Sequence, residues 1–261
     1  MNDTSLWRAL ARNTLISIAL FGALMGLLWL VEMLPQIFES SNLQIPTLLK
    51  WEDPAWLVGI PASVIGVAYI LTIRDPQNYT GFYAGIVMSA LLGVQFILQQ
   101  QYDSAALYYA VFIPFQIKSI IQWKKPAKAE DKPFSPEFLS TRSVIYTRII
   151  YFLIIIGDYL LATYLIQHNG LGDNIAIKLF NGVLIASSVM ANFWLIYRKN
   201  DAWIYWILYS CAGIGLFIMV NNIFSIVLFT FFLVINGTAA VAWFRGTKPE
   251  DLGWIKRWYI K

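Results

Sequence analysis

Long apolar runs separated by short polar joints dominate the chain. A helix rises 1.5 Å per residue and the hydrocarbon core is about 30 Å thick, so about 20 consecutive apolar residues make a membrane span. Eight runs qualify, near 14–34, 55–73, 79–99, 104–123, 144–166, 175–197, 202–220 and 223–244. The first exceeds a signal-peptide h-region and has no A-x-A cleavage pattern before MLPQIFESS, so it is read as a helix. The joints at 100–103 and 221–222 are short enough to require antiparallel hairpins. The pattern predicts an all-α polytopic membrane protein of about eight transmembrane helices.

Composition agrees. Hydrophobic residues make up 58% of the 261 positions and charged residues 13%, about half the charge that covers a soluble domain. The single Cys211 excludes a disulfide framework, and with the single His168 it argues against a His/Cys metal cluster.

Lys and Arg placement orients the spans. With an internal amino terminus, the inside collects Arg8, Arg12, Arg74, Lys124, Lys125, Lys128, Lys132, Arg142, Arg198, Lys199, Arg245, Lys248, Lys256, Arg257 and Lys261, and the outside only Lys50. Lys118, Arg148 and Lys178 fall within spans. By the positive-inside rule both termini are cytoplasmic, in a bacterial inner membrane. The segment 124–141 reads as a charged, Pro-rich cytoplasmic linker. The tail GWIKRWYIK places Trp254, Ile255, Trp258 and Tyr259 on one helical face, which suits a short interfacial helix or a plain solvated tail.

Two stretches resemble one another. ASVIGVAYILTIRD from Ala62 leads into a span beginning NYTGFYAG and another ending FQIKSIIQWKK. SSVMANFWLIYRKN from Ser187 leads into WIYWILYS and INGTAAVAWFRG. Each ends in a helix with a mid-span amide and a Trp seven residues on: Gln116 with Trp123, and Asn236 with Trp243. Both stretches start outside and end inside, so the span at 144–166 must carry the chain back between them. This is a parallel 3+1+3 repeat, in which 1–50 is an extra N-terminal helix with an external loop, 51–125 the first three-helix unit, 126–143 the linker, 144–170 the linker helix, 171–246 the second unit and 247–261 a basic tail.

The 3+1+3 arrangement, the YRKNDAWIYW joint and the FLVING…W ending resemble the Pnu family of bacterial vitamin transporters over residues 55–245. The family's first half usually ends in an Asn followed by an aromatic cluster. Here the stretch reads FQIKSIIQW, with Gln116 for the amide and Trp123 retained. The resemblance implies a SWEET-like fold and facilitated diffusion of an unphosphorylated vitamin, most like the family's nicotinamide riboside carriers, with thiamine and riboflavin as alternatives. It also implies trapping by a cytoplasmic kinase.

Sites in such carriers sit near the midplane between repeats. Gln116 and Asn236 lie there in matched places, and a buried amide offers two donors and an acceptor to ribose hydroxyls or a carboxamide. Amides also join helices by interhelical hydrogen bonds, and that reading stays open. Ser89 and Ser210 sit at middle depth, where Ser also bonds back to its own helix. Trp206, Tyr209 and Tyr109 could offer flat faces to a pyridinium. Trp123, Trp203 and Trp243, near the internal ends, read as belt residues. Gln95, with Gln99, Gln100 and Gln101, suggests an outer vestibule, and Asn192 an exit path. Asp158 in the linker helix either faces the cavity or pairs structurally, with Lys118 as one candidate partner.

HExxH, GxSxG and paired-carboxylate motifs are all missing, and no span contains a His to act as base, so an enzyme is not expected. No cofactor and no nucleic-acid partner are expected, and without a phosphate loop or nucleotide-binding domain ATP is not used directly. The non-transport alternative is a membrane scaffold or sensor. Lipid-facing and protein-facing apolar surfaces look alike, which leaves a homo-oligomer open.

Overall fold

The computed structural model describes residues 3–37, 52–99, 102–124, 136–164, 174–220, 223–247 and 252–255. Lys50, Gln100, Gln101, His168, most of the linker and the tail residues Trp258 and Tyr259 lie outside these. Among the described residues, eight helices are long and apolar enough to cross a membrane.

The first, α1 (Asp3–Ile37), begins well before the apolar run near 14–34. Tertiary bonds account for the extension. Tyr79 donates its hydroxyl to Asp3 at 2.9 Å, Thr80 reaches the Leu6 carbonyl at 3.2 Å, and Asn13 bonds Thr72 at 3.1 Å. Ser17 also bonds the Val64 carbonyl, so α1 is fastened along its neighbour at several levels.

That neighbour, α2 (Pro54–Ile73), starts at the Asp53 cap, whose carboxylate accepts from Ala55 N at 2.9 Å, with Pro54 at the first helical position. Next comes α3 (Gly81–Leu98). The fourth span is composite: α4 (Tyr102–Leu107), one π turn (Tyr108–Phe112) and α5 (Ile113–Lys124). Pro114 has no N–H for the carbonyl four residues back, and the widened turn lies just before it, with Ile113 N bonding Tyr108 O.

After the linker, α6 (Thr141–Tyr164) turns Ile149, Phe152, Leu153 and Ile156 outwards. Then follow α7 (Ile175–Ile196), capped by Asn174, α8 (Asp201–Met219) and α9 (Ile223–Arg245). The helices pack as two triplets. In one, α2 contacts α3 and α3 contacts α5; in the other, α7 contacts α8 and α8 contacts α9. Between the triplets, α5 meets α7 and α2 meets α9, while α1 lies on α2 and α6 on α7.

The linker's last residues dock on the end of the bundle that holds Arg74, Lys124 and Arg198, called here the basic end. Asn200 N donates to Glu137 O at 2.8 Å, and Asp201 accepts from Leu139 N at 2.8 Å and from Trp254 Nε1 at 2.7 Å. Trp254, expected on an interfacial face, is thus bound to the protein.

Candidate functional site

Gln116 lies eight residues before the end of α5 and Asn236 nine before the end of α9, so each sits about 12–14 Å from the basic end, near the middle of a span of about 30 Å. Both are fully buried. Gln116 Nε2 donates to Asn192 Oδ1 at 2.9 Å and to the Tyr69 hydroxyl at 3.3 Å. Asn236 Nδ2 donates to Ser210 Oγ at 3.1 Å and to the Trp206 carbonyl at 3.3 Å. Gln116 can approach α3 because residue 85 is glycine: a Cβ there would lie 2.9 Å from Gln116 Cδ and Oε1.

Both amide oxygens, Gln116 Oε1 and Asn236 Oδ1, are buried with no hydrogen-bond partner among the described residues, as are Ser89 Oγ on α3 and Trp206 Nε1 on α8. An unmet buried polar group costs about 1–3 kcal/mol. All four are neutral, and together they offer two acceptors, one donor and one hydroxyl able to do either. A polar, uncharged ligand with both donors and acceptors would satisfy them.

Aromatic rings stand nearby. Trp206 meets Tyr209 edge-on at 5.4 Å, and Tyr209 packs on Phe229 at 5.1 Å. Tyr209 also shares a side-chain hydrogen bond with Tyr108, which stacks on Phe96 at 5.4 Å.

The basic end is closed by buried rings. Trp123 donates Nε1 to the Leu195 carbonyl at 2.9 Å, and Trp243 donates Nε1 to the Arg74 carbonyl at 2.8 Å. Each triplet's last helix therefore bonds the end of the other triplet's first helix. Phe82 meets Trp123 edge-on at 4.7 Å, Trp203 meets Trp243 at 5.5 Å, and Trp123 lies 6.0 Å from Trp243. Arg198, at φ 52°, donates to the Trp123 carbonyl at 2.9 Å and covers its ring at 4.7 Å. Burial lowers its guanidinium pKa to about 10. Trp123, Trp203 and Trp243 are thus interior seals and not belt residues: all three are buried, and the indole N–H groups of Trp123 and Trp243 find carbonyls, not headgroups, at the helix ends.

The other candidates divide. Asn192 is drawn into the Gln116 cluster, and Ser210 gives its proton to the Trp206 carbonyl while accepting from Asn236. Gln95 lies against α2, where a Cβ on Gly59 would come within 2.9 Å of its Oε1. Tyr109 is 39% exposed and donates to the Ala90 carbonyl at 3.0 Å; the adjacent Tyr108 reaches Tyr209 instead. Asp158 accepts from Asn181 at 3.3 Å, and Lys118 lies over the Tyr197 ring at 5.9 Å. Sequence reasoning missed Tyr69 and Tyr108. A signal for Tyr69 existed, since it and Trp194 occupy the same place in the two matching stretches.

The family profile described as Nicotinamide mononucleotide transporter matches residues 56–245. The fold is shared with the crystal structure of the vitamin B3 transporter PnuC, at 14% sequence identity and TM-score 0.59, with 94% of this chain and 97% of that one covered. Among curated protein sequences none matches the chain. On the profile match, which spans most of its length, the chain belongs to the nicotinamide mononucleotide transporter family of multi-pass membrane proteins, transporters and not enzymes.

Proposed function

We propose that the chain carries nicotinamide riboside across a bacterial inner membrane by facilitated diffusion, with phosphorylation by a cytoplasmic kinase trapping the cargo. The observation that carries this reading is the set of unpartnered, buried and neutral polar atoms that includes the Gln116 and Asn236 amide oxygens. The carboxamide and ribose hydroxyls of the riboside supply the donors and acceptors these atoms lack, and the Trp206 and Tyr209 rings suit its pyridinium. A phosphate would find two carbonyl oxygens and no cation among those four atoms, which favours the riboside over the mononucleotide.

The basic end is the cytoplasmic one on this reading. Asp3 bonds Tyr79 and Trp254 bonds Asp201 at that same end, which supports cytoplasmic termini. The two triplets act as parallel repeats that rock about the site. Their matched amides, ring pairs and crossed Trp bonds support that view.

Calorimetry on the purified protein tests the cargo. Nicotinamide riboside binds, while the mononucleotide, thiamine and riboflavin bind at least about tenfold more weakly; Gln116→Ala and Asn236→Ala each lose about tenfold or more. Tight binding of another vitamin replaces the cargo, and binding of none returns the scaffold reading. Accumulation above the external concentration in liposomes without a kinase contradicts facilitated diffusion.

A further inference from the structure

Backbone carbonyls fix which way the buried amides face. A side-chain amide has an NH2 on one side and an oxygen on the other, and only the NH2 can meet a carbonyl. The Ser188 carbonyl lies 2.9 Å from Asn192 Nδ2. Asn192 must therefore turn Oδ1 towards α5, where it accepts from Gln116 Nε2. Gln116 in turn must point its NH2 at α7, with the Tyr69 hydroxyl as second acceptor. Its Oε1 is left buried without a partner among the described residues.

The other triplet reaches the same result by another route. Ser210 commits its proton to the Trp206 carbonyl at 2.9 Å, so its Oγ can only accept from Asn236. The Trp206 carbonyl also takes an Asn236 N–H. Asn236 Oδ1 is likewise buried and unpartnered.

We infer that Asn192 is a positioning residue that sets the polarity of Gln116, and that the site selects a ligand with hydrogen-bond donors for two bare amide oxygens and rejects the analogue carrying a carboxylate in place of the carboxamide. This rests on the vitamin-carrier reading, with one oxygen receiving the carboxamide NH2 and the other a ribose hydroxyl. The acid analogue presents only lone pairs to an oxygen that the relay prevents from rotating away. Discrimination of this kind is large, because the mismatched ligand leaves buried polar groups unpaired.

Binding of nicotinamide riboside and of nicotinic acid riboside is measured on the purified full-length wild type, Asn192→Leu and Tyr69→Phe. The wild type prefers the amide by about tenfold or more. In Asn192→Leu the preference shrinks at least about threefold, because Gln116 is free to turn, and in Tyr69→Phe it shrinks less. A wild-type preference near one, or one unchanged in Asn192→Leu, overturns the inference. A second measurement needs no ligand: melting temperatures of Asn192→Leu, Gln116→Leu and the double variant. The relay predicts that the double variant loses less than the sum of the singles, since each single change strands the other amide. Additive losses overturn the relay whatever the cargo. If the wild type binds no nicotinamide riboside, the functional reading fails, and the melting series alone decides on the relay.

Discussion

Gly85 allows the Gln116 carboxamide to lie directly against the backbone of α3, and even a methyl group there displaces it. Gly85→Ala is therefore expected to weaken riboside binding about tenfold by moving the amide a few tenths of an ångström, while the protein stays folded; calorimetry beside a melting curve checks both. An affinity equal to wild type would separate Gln116 from the cargo. Gln116 and Asn236 were visible in the sequence because a polar residue deep in an apolar run is costly and stands out. Tyr69 and Tyr108 did not stand out among 16% aromatic residues. Which of two adjacent tyrosines faces inwards depends on helix phase, and a π turn shifts that phase without any signature in hydropathy.

The π turn also yields a prediction for its element. Pro114→Ala restores the N–H missing from the junction between the π turn and α5 and favours continuous α-helix. The melting temperature is expected to rise while riboside affinity falls, because rewinding takes Tyr108 off Tyr209 and rotates the first half of the span relative to Gln116. A rise in both would show that the widened turn serves no purpose in binding. Span positions were legible at this scale, since hydropathy depends on residues near in sequence: α2, α3, α7, α8 and α9 begin and end close to their apolar runs. The polar first turns of α1 and the docking of Trp254 were not legible, because bonds to residues some 75 and 53 positions away create them.

Across the whole molecule, the bonds Trp123–Leu195 and Trp243–Arg74 tie each triplet's last helix to the other's first. Breaking one removes a buried hydrogen bond between the triplets, at a cost of about 1 kcal/mol. Trp123→Phe or Trp243→Phe is expected to make a cysteine placed at the buried Ala239 react about fivefold faster with a soluble thiol reagent added at the basic end. Unchanged labelling would mean the rings, without their N–H bonds, hold that end shut. The sequence contained both Trp residues in matched places, but nothing in a single chain shows that each bonds across to the other triplet. The fastening of α1 along α2 has a consequence of its own. On the proposed rocking motion it makes the two triplets unequal in drag: the triplet riveted to an additional helix serves as stator, and the other as rotor. A spin label on the exposed Cys211 of α8 should then shift its depth in the bilayer on riboside binding, whereas one on α1 stays still.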